Sequence, residues 1–376
     1  MKTYAIPDTL KTLVIKLGTQ LLSGKQAFEG QVMEAVVQEI AAIKRGHALN
    51  VLLVSSGAVG CGMNALGIQQ YPKSLPERQA VAAVGQATLM HYYETLLNTY
   101  GDGLRTAQVL LSWADLDNRR SYLNVRNTIN TLFEMKRVIP IVNENDSTAV
   151  EELCFGDNDT LAAKIAAKIN ADLLIILSDV DGLYDNEPGQ EGSRLIRHVT
   201  EITPEIEASA GGAGSAAATG GMRTKLEAAR IASAAGVGSV IANGHTPEII
   251  HRVLAGTADC THFAPGASTL SHRKRWIAFG RAAQGKLHVD TGAARALTTQ
   301  GKSLLAAGIR NVEGTFDVGA AVAVVGPEGR TIARALVNYT SDDIARIMGH
   351  KSKEIADILG RKDFDEVAHR DNMVVL

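Results

Sequence analysis

Up to roughly residue 260 the chain alternates two hydrophobic periods. Short, nearly continuous apolar runs, "TLVIKLGT", "NVLLVSSGA", "TAQVLLS", "RVIPIVNEND", "ADLLIILSDVDGLY" and "VGSVIANG", have strand length and close on turn-forming residues. Between them lie longer segments with apolar residues at helical spacing. "QVMEAVVQEIAAIKRG" ends on a Gly cap and "PERQAVAAVGQATLMHYYETLLNTYG" starts on a Pro. Strands that are continuously apolar are buried on both faces, so the pattern predicts an α/β fold: a mostly parallel open sheet flanked by helices. Ligands of such sheets bind beyond the carboxyl ends of the strands. The polar clusters "KLGT", "SSGA", "NEND" and "SDVDG" each follow an apolar run. They should converge on one edge of the sheet.

The pattern changes after "SHRKRWIAFGRAAQG", residues 271–285. "GKLHVDTGAARAL", "AAGIRNVEG", "AAVAVVGPEG" and "RTIARALVNY" read as short strands with closely spaced Gly turns, the signal of a small β-rich domain. The reading divides the chain into a catalytic domain over 1–270, a linker over 271–284 and a β-rich domain with its tail over 285–376.

Composition narrows the class. Aromatic residues make up only 5%, so the core is built from Ala, Val, Ile and Leu. A net charge of −2 argues against a general polyanion binder. The three cysteines, Cys61, Cys154 and Cys260, are widely spaced without a CxxC, which argues against a disulfide framework or a structural zinc. No apolar run has the length of a signal segment or a membrane span, so the expectation is a soluble cytoplasmic protein.

Two familiar phosphate motifs fail. The "GKS" at 301–303 lacks the first Walker glycine, with Ala296 in its place, and sits in the β-rich tail. "GCGMNA", 60–65, fits a loose dinucleotide pattern, but no strand ending in an acidic residue follows at the expected distance. What remains is a different apparatus. Lys16 stands at a strand's carboxyl end before Gly18. Lys225 follows "SAGGAGSAAATGG", a run too small and flexible to pack, and reads as the first turn of a helix "LEAARIASAAGV". A lysine at a helix start adds to a positive field instead of opposing the dipole, which suits an anion. Either lysine alone reads as a solvated turn residue; together at one sheet edge they would hold two sides of a polyphosphate. Asp157, Asn158 and Asp159 precede a helix, where capping explains one of them but not all three. Asn143, Glu144, Asn145 and Asp146 end a strand. The repetition favours recognition of an ammonium group, a lysine or Mg²⁺.

Taken in order, "VIKLGT", "VSSGAV", "VNEND", "FGDNDTLAA", "LSDVDGLY" and "ATGGMRTK" resemble the amino acid kinase superfamily, and the tail resembles a PUA domain. The resemblance runs over essentially the whole chain and is strongest to the members that phosphorylate L-glutamate. It implies a cytoplasmic kinase of proline biosynthesis that uses ATP and Mg²⁺, the metal being carried mainly by the ATP phosphates. It implies that Lys16, Ser178, Asp179, Thr219, Gly220, Gly221, Met222, Arg223, Thr224 and Lys225 bind ATP. Ser56, Gly57, Ala58, Asp146, Asp157 and Asn158 would bind glutamate, Asp157 holding its amino group. Asp159 would organise the two lysines, and Lys16, Lys225 and Asp159 would form the catalytic set. A homo-oligomer and feedback inhibition by proline are further implications. The alternatives are a superfamily kinase for aspartate, acetylglutamate, carbamate or UMP, and an RNA-binding protein acting through its tail. The latter is disfavoured: beyond the basic His272–Arg275 stretch, the tail lacks the aromatic series that stacks single strands.

Overall fold

The computed structural model describes residues 10–22, 30–46, 48–148, 158–186, 190, 192–209, 218–266 and 283–376. The chain divides into two compact units between residues 268 and 269.

In the first unit, β1 (Thr12–Leu17), α1 (Thr19–Leu22), α2 (Gln31–Gly46), β2 (Asn50–Ser55), α3 (Ala58–Leu66), α4 (Leu75–Tyr100) and β3 (Arg105–Leu111) come first. They are followed by α5 (Trp113–Asp117), α6 (Arg119–Glu134), β4 (Val138–Glu144), α7 (Asn158–Ile169) and β5 (Leu173–Ser178). Then come β6 (His198–Val199), α8 (Pro204–Ser209), α9 (Ala218–Ala234), β7 (Gly238–Asn243), α10 (Ile249–Ala255) and β8 (Cys260–Phe263). The strands form one sheet in the order β3-β4-β2-β1-β5-β7-β8-β6, parallel throughout except where β8 runs against β7. All six apolar runs read as strands from the sequence are strands of this sheet, and the two helical segments are α2 and α4. The order reverses at β1: β2 lies on one side of it and β5 on the other. Such a reversal opens a crevice at the carboxyl ends of the strands, and Lys16 stands one residue before that end of β1.

Strand alternation decides what Lys16 faces. Leu13, Ile15 and Leu17 join one core cluster with Val36 and Ile40 of α2 and Leu89 and Tyr93 of α4. Val14 and Lys16 therefore face the opposite side of the sheet. There α7 packs on β1 and β5 and against α9. Because α7 is enclosed by sheet and helices it is buried almost all round, from Asp159 to Ile169.

On the other face, α3 and α4 approach backbone to backbone. A Cβ on Gly62 would lie 1.9 Å from the Val81 carbonyl oxygen, and one on Gly85 would lie 1.8 Å from that of Ala58. The "GCGMNA" run is thus helical, within α3, and its Gly62 serves helix packing and not a phosphate turn. Ahead of it Gly57 turns the chain from β2 into α3 at φ 104°, a conformation open to glycine and strained for a side-chain-bearing residue.

The second unit carries a five-stranded sheet, β10-β9-β11-β12-β13, built from β9 (Gly285–Val289), β10 (Ile309–Glu313), β11 (Ala321–Val325), β12 (Thr331–Leu336) and β13 (Met373–Val375). Its own core gathers Leu287, Val322, Val324, Tyr339 and Ile344 among others. Three short helices, Thr291–Thr298, Ser341–Ile347 and Ile355–Leu359, depart from the run of strands expected from the sequence. Within "GKLHVDTGAARAL" the switch comes at Asp290, whose carboxylate accepts a hydrogen bond from the Ala293 amide at 2.8 Å and caps a helix. The basic stretch and most of the expected linker lie outside the described residues. Among the described residues no helix is long and apolar enough to cross a membrane.

Gly62→Ala tests the α3–α4 contact. Helix propensity alone would favour alanine by up to about 1 kcal/mol. The clash with the Val81 carbonyl should reverse that sign and destabilise the protein by roughly 1–3 kcal/mol, read as a lower melting temperature. An equal or higher melting temperature would remove the contact from the account.

Candidate active site

Three charges from three distant parts of the chain meet beyond the end of β1. The Asp159 carboxylate lies between the Lys16 ammonium, 2.5 Å from Oδ1, and the Lys225 ammonium, 3.3 Å from Oδ2. All three are buried: Lys16 is 5% exposed, Asp159 1% and Lys225 9%. Thr224 adds a hydroxyl that donates to Asp159 Oδ2 at 3.2 Å, and Lys225 Nζ also donates to the Gly221 carbonyl at 3.0 Å. Burial alone would push the Asp159 carboxyl up. The two ammonium groups outweigh it and hold it below the usual carboxylate range. Two cations against one anion leave the cluster with one net positive charge, in a setting of low dielectric where an incoming phosphate would feel it strongly.

The placement of Lys225 differs from the sequence expectation. The helix does not begin just before it; α9 starts at Ala218, so the "TGGMRTK" run is helical and Lys225 stands two turns in. It reaches Asp159 because α9 packs along α7, not because a loop presents it. Within the same stretch Met222 is half-buried and Arg223 exposed. Thr219 and Gly220 lie in the first turn of α9, and most of the small-residue run before it, 210–217, falls outside the described residues.

A second polar group sits at the ends of β2 and β4. Asn158, first residue of α7, places Nδ2 2.9 Å from the Ser56 hydroxyl oxygen, 3.1 Å from the Ser55 carbonyl and 2.9 Å from Asn143 Oδ1, so its two amide hydrogens are shared among three oxygens. Asn143 Oδ1 also accepts from the Glu144 amide at 2.9 Å, while its Nδ2 donates to Gln86 Oε1 at 2.8 Å. Gly57 and Ala58 stand at the start of α3, whose first amides have no intrahelical acceptor. Next to this network is a pocket of about 270 Å³ lined by Gln86, Gln108, Glu144, Asn145, Asp146 and Ser147, with an alanine wall from α4. The volume suits a small metabolite and falls below the usual range for larger ligands. Burial pushes the Asp146 carboxyl up. An ammonium ligand would offset that by favouring the charged form. Ser56 and Asn158 do not line this pocket themselves; they adjoin it through Asn143, Gln86 and Glu144.

Ser178 and Asp179 end β5 on the far side of β1, the Ser178 hydroxyl donating to Asp179 Oδ1 at 3.0 Å. Asp181 beyond them is held by Asn243 Nδ2 at 3.1 Å and the Tyr184 hydroxyl at 2.9 Å. Lys16 and Asp159 therefore stand between two groups, Ser178 and Asp179 with Lys225 toward β5 and α9, and Ser56, Asn143 and Asn158 toward β2 and β4. Asp157 and Cys154 lie outside the described residues. The sequence reading does not include Gln86; its signal there is the one amide side chain in the otherwise small and mostly apolar stretch "AVAAVGQATLM".

Residues 11–243 match the amino acid kinase family and residues 285–359 the PUA domain. The chain is 49% identical to a glutamate 5-kinase of Moorella thermoacetica over 97% of its own length and 96% of that protein's. It is 46% identical to a glutamate 5-kinase of Geobacter sulfurreducens over 99% of each. A solved carbamate kinase from Giardia lamblia is similar over 68% of this chain and 99% of its own, at 20% identity and a TM-score of 0.49.

Asp159→Asn removes the anion and leaves two buried ammonium groups facing each other. It should cost roughly 3–5 kcal/mol of stability. The native carboxyl pKa is depressed, so its contribution is complete above the unfolded value of about 3.9 and is lost as pH falls through the lower native value. The stability gap between wild type and Asp159→Asn, measured by denaturant titration, should be flat from neutral pH to about pH 4 and close in stronger acid. A gap that shrinks already near pH 6 would assign it to another group.

Proposed function

Because the chain belongs to the amino acid kinase family and carries a PUA domain, we propose that it transfers the γ-phosphoryl group of ATP to the γ-carboxylate of L-glutamate. The products are ADP and the acyl phosphate glutamate 5-phosphate, the first step of proline biosynthesis. The observation that carries the phosphoryl-transfer chemistry is the buried Lys16–Asp159–Lys225 cluster at the strand-order reversal. Support for glutamate as acceptor comes from near-full-length kinship with curated relatives of that name.

The chemistry follows from charge. A carboxylate is ionised at neutral pH and needs no base to attack. The barrier is the approach of one anion to a polyanion, so catalysis is positioning and electrostatic stabilisation. In this reading Lys16 and Lys225 bind the oxygens of the transferring phosphoryl group from two sides. Asp159 keeps both ammonium groups charged and aimed. The first turn of α9, Thr219 to Met222, supplies amides at a helix N-terminus for the nucleotide phosphates, with Arg223 and Thr224 following and Ser178 and Asp179 on the nucleotide side. Ser56, Gly57, Ala58, Asp146 and Asn158 form the acceptor side, and Asp157, outside the described residues, is assigned to the amino group.

The described residues hold no cluster of three or more His, Cys, Asp or Glu side chains suited to a metal, and both Asp159 oxygens already face ammonium groups. That donor set fits a Mg²⁺ that arrives on the ATP phosphates, where it would neutralise charge. A cytoplasmic setting, assembly as a homo-oligomer, and inhibition by proline at a site overlapping that of glutamate belong to the same reading.

With Mg²⁺ and ATP, L-glutamate should release ADP and yield a hydroxamate in the presence of hydroxylamine, and aspartate much less; hydroxamate from aspartate alone would overturn the acceptor assignment. Lys225→Ala should lower kcat by on the order of 10²–10³ with a smaller change in the KM for ATP, as for a contact made mainly in the transition state. Near-normal kcat would make Lys225 a packing residue of α9.

A further inference from the structure

The hydrogen-bond chain running from α4 to Ser56 has a polarity that two backbone groups decide. The Glu144 amide can only donate, so the Asn143 atom facing it is the oxygen. The Ser55 carbonyl can only accept, so the Asn158 atom facing it is the nitrogen. The rest of the chain follows from these two points. Asn143 turns its nitrogen toward Gln86, and Gln86 must present its oxygen there, at 2.8 Å. Asn158 turns its nitrogen toward Asn143 and the Ser56 hydroxyl oxygen, both at 2.9 Å. The Asn158 amide nitrogen cannot accept, so the Ser56 hydroxyl hydrogen is left to donate elsewhere. Asn158 keeps its carbonyl oxygen as an acceptor. At its Ser56–Asn158 end the network thus offers one donor and one acceptor, which matches an amino acid that brings carboxylates and an ammonium group.

Gln86 closes this chain. Asn143 is 3% exposed, and its amide nitrogen would be left unpaired without the Gln86 oxygen. A buried donor without a partner is costly, so Asn143 would turn and release Asn158. Gln86 itself is held in place by its neighbour: Gly85 lets α4 touch the Ala58 backbone of α3, the helix that follows Ser56 and Gly57. The remaining amide nitrogen of Gln86 is buried and has no partner among the described residues, and Gln86 also lines the pocket that contains Asp146.

We propose that Gln86 is a positioning residue for the acceptor: through Asn143 it orients Asn158 and Ser56, and so sets the affinity for the acceptor and not for ATP. The proposal rests on the reading of Ser56 and Asn158 as acceptor-binding groups.

The test is a double-mutant cycle on the full-length protein, with Gln86→Met, Asn158→Ala and the pair together, and with L-glutamate and ATP varied separately. Gln86→Ala, a good helix former, serves as the second variant at the same position. Either Gln86 variant should raise the KM for glutamate about tenfold, the scale of one or two lost hydrogen bonds, and leave the KM for ATP within about twofold. The double variant should be no worse than Asn158→Ala alone, since Gln86 acts through Asn158. A glutamate KM unchanged in both Gln86 variants, a parallel rise in the KM for ATP, or effects of the two positions that multiply would each overturn the proposal. The wild-type arm separates the two readings. If wild type turns over another acceptor and not glutamate, the acceptor assignment falls, and the cycle is run on that acceptor with the same criteria.

Discussion

A carboxylate buried between two ammonium groups is the interaction on which the rest of this structure depends. Taking three charges out of water costs several kcal/mol for each ion, and only close mutual contact and added hydrogen bonds can offset it. The Asp159 oxygens each face one lysine, and Thr224 supplies the additional hydroxyl. The cluster can form only if β1 presents Lys16 to the face covered by α7, if α7 begins at that strand end, and if α9 lies along α7. Each of these is a statement about packing, and each is met by small or branched apolar residues along the shared faces. The net charge left over is positive and points the site toward an anion.

In the proposed function the same geometry would separate two substrates. Lys16 lies at the carboxyl end of the central strand, one residue before its last, where the order of the sheet reverses. Groups contributed by β5 and α9 lie on one side of it and those from β2, β4 and the start of α7 on the other. Asn158 and Asp159 are adjacent in sequence yet serve different neighbours: the amide joins the β2–β4 network and the carboxylate joins the lysines. Consecutive residues at a helix start point in directions about 100° apart, so one helix terminus would serve both halves of the proposed reaction. Transfer between two bound reactants needs this kind of shared origin, since placement of the reacting atoms supplies most of the catalysis in phosphoryl transfer.

Glycine in this protein works at helix contacts and turns, and the two uses look alike in sequence. Gly57 is required by a left-handed turn between β2 and α3, whereas Gly62 and Gly85 are required because α3 and α4 touch through their backbones. "GCGMNA" mimics a dinucleotide motif for the second reason. The consequence reaches the site, because that contact sets the distance between Ser56 and the α4 residue Gln86 that closes its hydrogen-bond chain.

Periodicity in the sequence determined the sheet, its main helices and the clustering of "KLGT", "SSGA", "NEND" and "SDVDG" at one edge. Strand burial and turn chemistry are local properties, and continuous apolar runs leave few alternatives to a parallel sheet. Lys16 stood out as a charged residue before a Gly turn at a strand end and Lys225 as one beside a glycine run at a helix, whereas Asp159 read locally as one of three polar residues before a helix, and its place between the two lysines came from the family resemblance. What the sequence could not decide were the start of α9, and hence how Lys225 reaches Asp159, the helix that follows Asp290, and the part played by Gln86. Small residues such as those of "TGGM" have weak preferences of their own, so packing decided whether they are loop or helix. Gln86 and Asn143 lie 57 positions apart, and a hydrogen bond between them leaves no local pattern. Only the closure of α4 onto the sheet brought that oxygen to that amide.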